Sequence, residues 1–470
     1  MAIVITNGQI VSSKGTIVKD IRIVGEKIED IGIDLVKPND EVIDAKGFYI
    51  LPGGIDVHTH FDAEAGGMVA DSFSTGTKAA IMGGTTTIID FAEQVKKGTL
   101  REALDDWKNR TKDNTYTDYG FHMTISDWND NTSKEMEEMV KEGITSFKMF
   151  FAYGDLKVDD SSIYEALKKS KELGTLIGFH CENGDIIDSL RKEAVLKGNI
   201  EPIYHEKTRP SSLEREAISR LITIGELADT PVYIVHLSSK EGYNEVQKAR
   251  QRGLKVLAET CPQYLLLNKD YYTPKGKDLF EGAKYVISPP LRDKESNKIL
   301  WKGLKDGEID VIATDHCAFN YKGQKELGKY DFTKIPNGAP GVENRFKLIY
   351  TYGIMENRIN IERLVEVLCE NPAKIFGLYP KKGVIQRGSD ADILVFNPQV
   401  KSIIKAENQI QNVDYNLYEG FPQYGKFEYI FLRGQMIVKD EEFLISKPLG
   451  KYQKRGLTMK DNGNDYYIRR

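Results

Sequence analysis

Residue types that bind metals recur at the ends of short apolar runs in this 470-residue sequence. The chain has only seven histidines, and four of them lie at such ends. With a lysine and an aspartate in equivalent places, the candidate ligands are His58, His60, Lys148, His180, His236 and Asp315. Neutral imidazoles and a carboxylate suit zinc and similar divalent metals. Any one of these histidines alone would more often be structural, but together they predict a metal site.

The spacing of His58 and His60 strengthens this prediction. Side chains at positions i and i+2 of a strand point to the same face, as two ligands of one metal must. The remaining histidines, His122, His205 and His316, are weaker candidates. We interpret them as structural residues or as partners of the ligands.

Lys148 lies in an apolar run, SFKMFF (146–151). A buried ammonium loses its hydration and repels nearby metal ions. Reaction of the amine with carbon dioxide would give a carbamate anion able to bridge two metals. A lone lysine in such a run more often reaches solvent or pairs with an acid. The surrounding ligands favour the carbamate here.

Eight runs rich in β-branched residues alternate with stretches of helical period between residues 52 and 376. The runs cover residues 55–60, 85–91, 118–125, 143–151, 175–182, 232–238, 256–261 and 311–316. Residues 134–143 and 211–228 have the spacing of amphipathic helices. Repeated βα units predict an α/β fold with a (β/α)8 TIM-like barrel, whose chemistry lies at the carboxyl ends of the strands.

The two ends of the chain predict a second, smaller β domain. Strand-like segments joined by turns containing Gly and Asn cover residues 3–11, 15–25, 391–398 and 429–440. We therefore expect a β-sandwich built from residues 1–51 and 377–446, with the barrel at 52–376. The polar tail 447–470 is expected to be frayed or held by another subunit as an intersubunit arm.

Composition excludes several classes of function. A net charge of −5 offers no general attraction for nucleic acid or anionic lipid. No apolar stretch is long enough to cross a bilayer, and the start MAIVITNGQI has no secretory pattern. Four widely spaced cysteines favour reduced thiols and a cytoplasmic location.

An ordered set of motifs runs along nearly the whole chain. It includes PGGIDVHTHFD (52–62), GGTTTIIDF (83–91), GITSFKMFFAY (143–153), FHCEN (179–183), YIVHLSS (233–239), ETCPQYLLL (259–267), SPPLR (288–292), ATDHCAF (313–319), PNGAPGVENR (336–345), NPAKIFGL (371–378) and GSDADILVFNP (388–398). With these motifs the sequence resembles the dihydropyrimidinase and hydantoinase branch of the amidohydrolase superfamily.

The resemblance implies a pair of divalent metals, usually zinc, although iron or manganese suits similar ligands. His58 and His60 would hold the more buried metal with Asp315. His180 and His236 would hold the second, and carboxylated Lys148 would bridge the two. Family members of this kind are homotetramers or homodimers, so a homo-oligomer is implied as well.

The resemblance also implies a substrate and a reaction. Tyr153 would contact the substrate oxygen, and backbone groups near Ser288 and Asn337 would hold the imide edge of a small cyclic ureide. Hydroxide held between the metals would attack the ring carbonyl. Asp315 would serve as base and then as acid, and the ring would open to an N-carbamoyl amino acid.

Three related functions are alternatives. Dihydroorotase-like enzymes carry an arginine two residues after the second histidine, where this chain has Asp62, which would repel a carboxylate substrate. Allantoinase acts on a similar ring and would differ only in loop residues. A non-catalytic tetrameric scaffold would have lost metal ligands, whereas all six positions are retained here.

The loop after HTHFD departs from the pattern of the family. Relatives commonly carry apolar residues of the type M-P-F-G-G, whereas this chain reads AEAGGMVADSF (63–73). The loop is expected to cover the exocyclic group of the substrate. Small side chains and the charge of Glu64 remove hydrophobic contacts there. We therefore expect activity on unsubstituted or small rings.

Overall fold

The computed structural model describes residues 2–274, 276 and 278–458. Eight parallel strands pair in sequence order into a nearly closed barrel. These strands, called β1 to β8, are Gly54–Thr59, Thr85–Glu93, Asp118–Thr124, Ser146–Phe150, Leu176–His180, Val232–Ile234, Val256–Thr260 and Val311–Ile312. Each lies within or overlaps one of the eight predicted runs, so the barrel prediction is confirmed.

Hydrogen bonds beyond the ends of the last and first strands close the barrel. The backbone N–H of Asp315 donates to the carbonyl of His58 over 2.9 Å, and that of His60 donates to His316 over 2.7 Å. The segment carrying Asp315 is therefore bonded directly to the segment carrying the first two histidines.

The α-helices lie mostly between the barrel strands. They are Phe73–Met82, Leu100–Thr111, Asp130–Lys141, Asp160–Leu173, Gly184–Leu196, Ile203–Lys207, Ser211–Ala228, Lys240–Gln251, Pro262–Leu266, Lys294–Lys305, Arg345–Ile349, Ile361–Val365 and Asn371–Ile375. The helix predicted at 211–228 is confirmed. The helix predicted at 134–143 begins earlier, at Asp130, because the side chain of Asn129 caps its first turn.

Shorter helical turns join these elements. The 3₁₀ turns are Lys269–Tyr272, Leu279–Tyr285, Lys325–Gly328, Phe332–Lys334 and Ala406–Asn408. Two π turns, Tyr350–Ile354 and Glu366–Glu370, continue α-helices. A two-residue hairpin, Glu64–Ala65 with Met68–Val69, lies in the loop after β1.

Two further sheets form the smaller β-sandwich, as predicted. The four-stranded sheet has the order Lys27–Gly32, Asp20–Val24, Ile3–Thr6, Glu41–Asp44. The seven-stranded sheet has the order Glu442–Phe443, Gln435–Lys439, Pro422–Leu432, Ile393–Ile403, Tyr49–Pro52, Gln9–Ser12, Gly15–Val18. Side chains from both sheets, such as Ile5, Ile21, Ile50 and Phe431, share one buried core. The domain boundaries given above stay predictions.

The beginning of the predicted tail contacts the barrel of its own chain. The backbone N–H of Tyr119 donates to Lys451, and that of Gln453 donates back to Tyr119. Tyr119 is the second residue of β3, so this contact lies at the amino end of the barrel. Residues 459–470, the rest of the proposed intersubunit arm, lie outside the described residues. None of the helices in the described ranges is long and apolar enough to span a membrane.

Candidate metal centre

The ends of β1 and β8 bring three predicted ligands together. Nε2 of His58 lies 3.2 Å from Oδ1 of Asp315, and Nε2 of His60 lies 3.5 Å from the same oxygen. One ligand atom from each of the three residues lies within 4.8 Å of the others. Two imidazole nitrogens and a carboxylate oxygen at this spacing fit one divalent metal.

Lys148 on β4 lies beside this group. Its Nζ is 3.3 Å from Nε2 of His58, and the residue is 1% exposed. Burial lowers the pKa of Lys148 to about 8, although Asp315 and Glu259 oppose the shift. Part of the amine is then neutral near physiological pH, and the neutral amine is the form that reacts with carbon dioxide.

The ends of β5 and β6 supply a second pair. Nδ1 of His180 lies 3.0 Å from Nε2 of His236, and both residues are buried. The rings of His58 and His236 have centroids 5.3 Å apart, so the pair adjoins the first group. The other nitrogen of His236, Nδ1, is buried without a hydrogen-bond partner in the described part of the chain.

The side chains of the two groups differ in exposure. In the first group that of His58 is 1% exposed, whereas those of His60 and Asp315 are 20% and 13% exposed. In the second group the side chain of His180 is 3% exposed. The assignment of the more buried metal to the first group stays a prediction.

Glu259 on β7 is a buried carboxylate that the sequence reasoning did not select. Its Oε1 lies 2.6 Å from Nδ1 of His58 and accepts the backbone N–H of His236 over 3.1 Å. Its Oε2 accepts the hydroxyl of Tyr233 over 2.8 Å. A carboxylate on Nδ1 leaves the lone pair of Nε2 free for a metal. Its place at the end of the run VLAET (256–260) was the available signal.

Glu182 has the same relation to His180. Its Oε2 lies 3.0 Å from Nε2 of His180 and accepts a hydrogen bond from Arg209 over 2.9 Å. Burial opposes ionisation, but Arg209 and His180 hold the pKa of Glu182 at about 2. The ionised carboxylate favours hydrogen on Nε2, which directs the lone pair of Nδ1 towards His236.

Several residues of this region have a backbone that L-residues rarely adopt. The φ angles of Tyr153, His236 and Asp315 are 67°, 38° and 55°. Non-glycine residues with positive φ cost free energy and cluster at functional sites. The strain is thus located where the predicted ligands and Tyr153 turn away from their strands.

Tyr153 and Ser288, two predicted substrate contacts, lie together. The side chain of Ser288 lies close enough to Tyr153 to lower its pKa slightly, and the ring of Tyr153 has its centroid 5.2 Å from that of His180. Burial raises the pKa of Tyr153 to about 12, so its hydroxyl stays protonated at neutral pH. It can therefore donate a hydrogen bond to an oxygen atom beside the histidines.

Asn337 lies in a segment whose backbone contacts the segments that carry Ser288 and Asp315. The N–H of Gly338 donates to the carbonyl of Val286 over 3.1 Å, two residues before Ser288. Ala339 pairs with His316, which follows Asp315. The segment of Asn337 therefore lies between the segments that carry these two residues.

The other three histidines make structural hydrogen bonds, as interpreted from the sequence. His122 contacts Ser146 and the carbonyl of Val57, at 2.6 and 2.9 Å. His205 donates from Nε2 to the carbonyl of Ile287 over 2.7 Å. Nδ1 of His316 accepts the backbone N–H groups of residues 341 and 342.

Asp62 closes the loop that follows the first two histidines. Its Oδ1 accepts the backbone N–H of Phe73 over 3.2 Å, and its own N–H donates to Asp71 over 3.1 Å. The hairpin 64–69 lies within the closed loop. Asp62 therefore holds the base of the segment expected to cover the exocyclic group.

The donor set fits two divalent metals. Nitrogen and oxygen atoms of His58, His60 and Asp315 converge, and Nδ1 of His180 faces Nε2 of His236. Glu259 and Glu182 set the tautomers of two of the histidines, as outer partners of metal ligands do. Lys148 lies beside the first group and fits a bridge after carboxylation.

Comparisons with known proteins identify relatives of this chain. Residues 49–421 match the model of the amidohydrolase family. The chain is 45% identical to a D-hydantoinase of Geobacillus stearothermophilus over 97% of each chain. It is 47% identical to a D-hydantoinase of Streptomyces coelicolor over 88% of this chain and 89% of that one.

Solved structures give the same result. The crystal structure of a dihydropyrimidinase from Brevibacillus agri superposes with a TM-score of 0.95 and 44% identity, covering 97% of this chain and 99% of that one. This likeness covers nearly the whole chain, so it includes both the barrel and the β-sandwich. The chain therefore belongs to the amidohydrolase family, within its group of D-hydantoinases and dihydropyrimidinases.

Proposed function

We propose that this chain hydrolyses the ring amide of dihydropyrimidines and hydantoins to N-carbamoyl amino acids. The observation that carries the proposal is the convergence of all six candidate ligands beside Tyr153 and Ser288. The names of the relatives, D-hydantoinase and dihydropyrimidinase, support the same reaction.

The proposed cofactors are two divalent metals, with zinc favoured by the nitrogen and oxygen donors. His58, His60 and Asp315 would hold one ion and His180 with His236 the other. N6-carboxylysine at residue 148 would bridge them. When bound, such ions supply Lewis acidity and lower the pKa of water to near neutrality.

The residues of the chain then have distinct roles. The protonated hydroxyl of Tyr153 donates a hydrogen bond to the carbonyl oxygen as negative charge develops on it. The carboxylate of Asp315 accepts the proton of the attacking water and delivers it to the departing ring nitrogen. Backbone groups near Ser288 and Asn337 hold the imide edge of the ring and fix its orientation.

The preferred substituent is proposed from the hairpin 64–69. Glu64 and Ala65 stand where relatives commonly carry bulky apolar residues, so this part of the hairpin offers a charge and a small side chain to an aryl group. We therefore propose a preference for unsubstituted or small rings. We also propose a homotetramer or homodimer, and a cytoplasmic location, which the four unpaired cysteines support.

Ring-opening assays on the metal-reconstituted protein, with bicarbonate present, test the reaction. The panel is dihydrouracil, hydantoin, a 5-aryl hydantoin, allantoin and dihydroorotate. Turnover of the first two is expected. Turnover of allantoin or dihydroorotate alone would contradict the proposed substrate class. A strong preference for the 5-aryl hydantoin would contradict the proposed preference for small rings.

A substitution of the bridging residue tests the metal centre. Lys148→Met is expected to lose at least one metal per chain in elemental analysis and at least about 100-fold in kcat. Lys141→Met is the matched control because Lys141 is exposed at the end of the helix Asp130–Lys141. Unchanged metal content in Lys148→Met would contradict its role as a ligand.

A further inference from the structure

Lys325 is a buried lysine that the proposed reaction does not use. It is 0% exposed, and its Nζ donates to three backbone carbonyls, at 2.8 Å to Val286 and 2.6 Å to both Pro336 and Gly338. None of the ion pairs in the described ranges includes it. Burial lowers the pKa of Lys325 to about 7. A charge that is costly to bury is therefore stabilised by carbonyl groups and by the ring of Phe319, whose centroid lies 5.8 Å from Nζ.

The three carbonyls belong to the segments that carry two proposed substrate contacts. Val286 is two residues before Ser288, and Pro336 and Gly338 flank Asn337 on both sides. One ammonium group thus joins the two segments at the positions proposed to hold the ring. His205 supports the first segment separately, through the carbonyl of Ile287.

The preceding residue, Gln324, forms hydrogen bonds with a different part of the proposed pocket, the hairpin 64–69. It is 0% exposed, and its Nε2 donates to the carbonyl of Met68 over 2.9 Å and to Ala65 over 3.4 Å. Its Oε1 accepts the backbone N–H of Asn320 over 2.7 Å. These contacts hold the hairpin 64–69, which is proposed to cover the exocyclic group.

The turn that follows packs against the same hairpin. A Cβ atom added at Gly66 would lie 3.1 Å from the side chain of Leu327, and one at Gly323 would lie 3.2 Å from Met68. The hairpin and the turn Lys325–Gly328 are thus in close contact. A shift of residues 323–328 would move both the hairpin and the two ring-holding segments.

We propose that Gln324 and Lys325 are positioning residues that set the substrate pocket. Lys325 fixes the segments that hold the ring, and Gln324 fixes the hairpin that selects the substituent. The proposal rests on the proposed function, since it assigns Ser288, Asn337 and the hairpin to the substrate. The hydrogen bonds of both side chains are to backbone atoms and not to the six metal ligands.

Lys325→Met tests the first part because methionine keeps the shape of the side chain and removes its three donors. We expect kcat/KM to fall about 100-fold for dihydrouracil and hydantoin alike, mainly through KM, with the metal content unchanged. Lys334→Met is the control, since Lys334 lies nearby with a side chain 69% exposed. An unchanged KM, or loss of metal, in Lys325→Met would overturn the proposal.

Gln324→Met tests the second part and removes no charge. We expect it to change the ratio of kcat/KM between 5-isopropylhydantoin and hydantoin at least fivefold, whereas Lys325→Met should leave that ratio nearly unchanged. A residue that only stabilised the fold would not separate the two effects. If the ratio of kcat/KM between the two hydantoins were the same in Gln324→Met and Lys325→Met, the assignment of Gln324 to the hairpin would be overturned. Failure of the proposed function would appear instead as no turnover by the unaltered, metal-loaded chain.

Discussion

Glu259 decides which nitrogen of His58 is available to a metal. Its side chain accepts hydrogen bonds from the hydroxyl of Tyr233 and the backbone N–H of His236, and its Oε1 faces Nδ1 of His58. Burial raises the pKa of Glu259 to about 8, but both of its oxygens accept hydrogen bonds from groups that can only donate them here, which stabilises the ionised form. Nδ1 of His58 is therefore favoured as a donor. Its Nε2 then presents a lone pair towards Asp315 and Lys148. The ring is oriented before any metal binds.

Replacing Glu259 with glutamine tests this orientation. The amide would present N–H groups to at least one of the three donors, so we expect metal affinity to fall about 10- to 100-fold. Competition with a chromophoric chelator measures the affinity. Glu295→Gln is the control because Glu295 is exposed in the helix Lys294–Lys305. Equal metal affinity in Glu259→Gln and the unaltered chain would contradict the role of this carboxylate.

The candidate ligands could be selected from the sequence, whereas their hydrogen-bond partners could not. His58, His180 and Asp315 are polar residues at the ends of apolar runs, and the fold places such ends on one face. Glu259 is also at the end of a run, but its significance depends on a contact with β1, far away in the sequence. Register across a barrel is a tertiary property that one run does not encode.

Arg345 joins three strands at the base of the barrel. It is 0% exposed and donates to the carbonyls of Ile55 and Ile312 over 2.9 Å and to the hydroxyl of Thr85 over 3.0 Å. These residues lie in β1, β8 and β2. Its Nη1 is also 3.7 Å from the buried carboxylate of Asp56. The arginine therefore supports the closure that brings Asp315 to His58.

Substitution of Arg345 is expected to destabilise the barrel strongly. Arg345→Met leaves Asp56 as an uncompensated buried charge, which typically costs about 3–5 kcal/mol of unfolding free energy. Urea unfolding followed by tryptophan fluorescence measures the change. Arg252→Met, which removes a surface pair with Glu226, should change it by less than about 0.5 kcal/mol. A similar small effect for both variants would contradict the role of Arg345.

Element types were more predictable than the partners of each strand. The runs 3–11 and 15–25 do form strands around their turns, but each run crosses from one sheet to the other. Residues 3–6 and 20–24 belong to the four-stranded sheet, whereas 9–12 and 15–18 belong to the seven-stranded one. Alternation of apolar residues identifies a strand and its buried face, but it does not identify the neighbouring strand.

The carboxyl-terminal segment of the chain packs against the amino end of the barrel. Arg455 is 5% exposed, and its guanidinium donates to the carbonyl of Phe121 on β3. The N–H of Gly450 donates to Thr115, and that of Gly456 donates to Gly377. The chain thus returns from the β-sandwich to the barrel. This segment connects the β-sandwich with the barrel, in addition to the covalent connection near residue 52.

Two truncations separate this structural role from a role in assembly. A chain ending at residue 446 loses the contacts of Gly450, Gln453 and Arg455, each worth about 1 kcal/mol. For a chain of this length, a loss of about 3 kcal/mol lowers the thermal midpoint by about 3 °C. A chain ending at residue 458 keeps those contacts and should keep its midpoint. An equal thermal midpoint for the two truncated chains would contradict the packing role of residues 447–458.

Light scattering tests the role of residues 459–470 in assembly. Fewer subunits per particle for the 1–458 chain than for the full chain would support residues 459–470 as the intersubunit arm, and an unchanged number of subunits would contradict it.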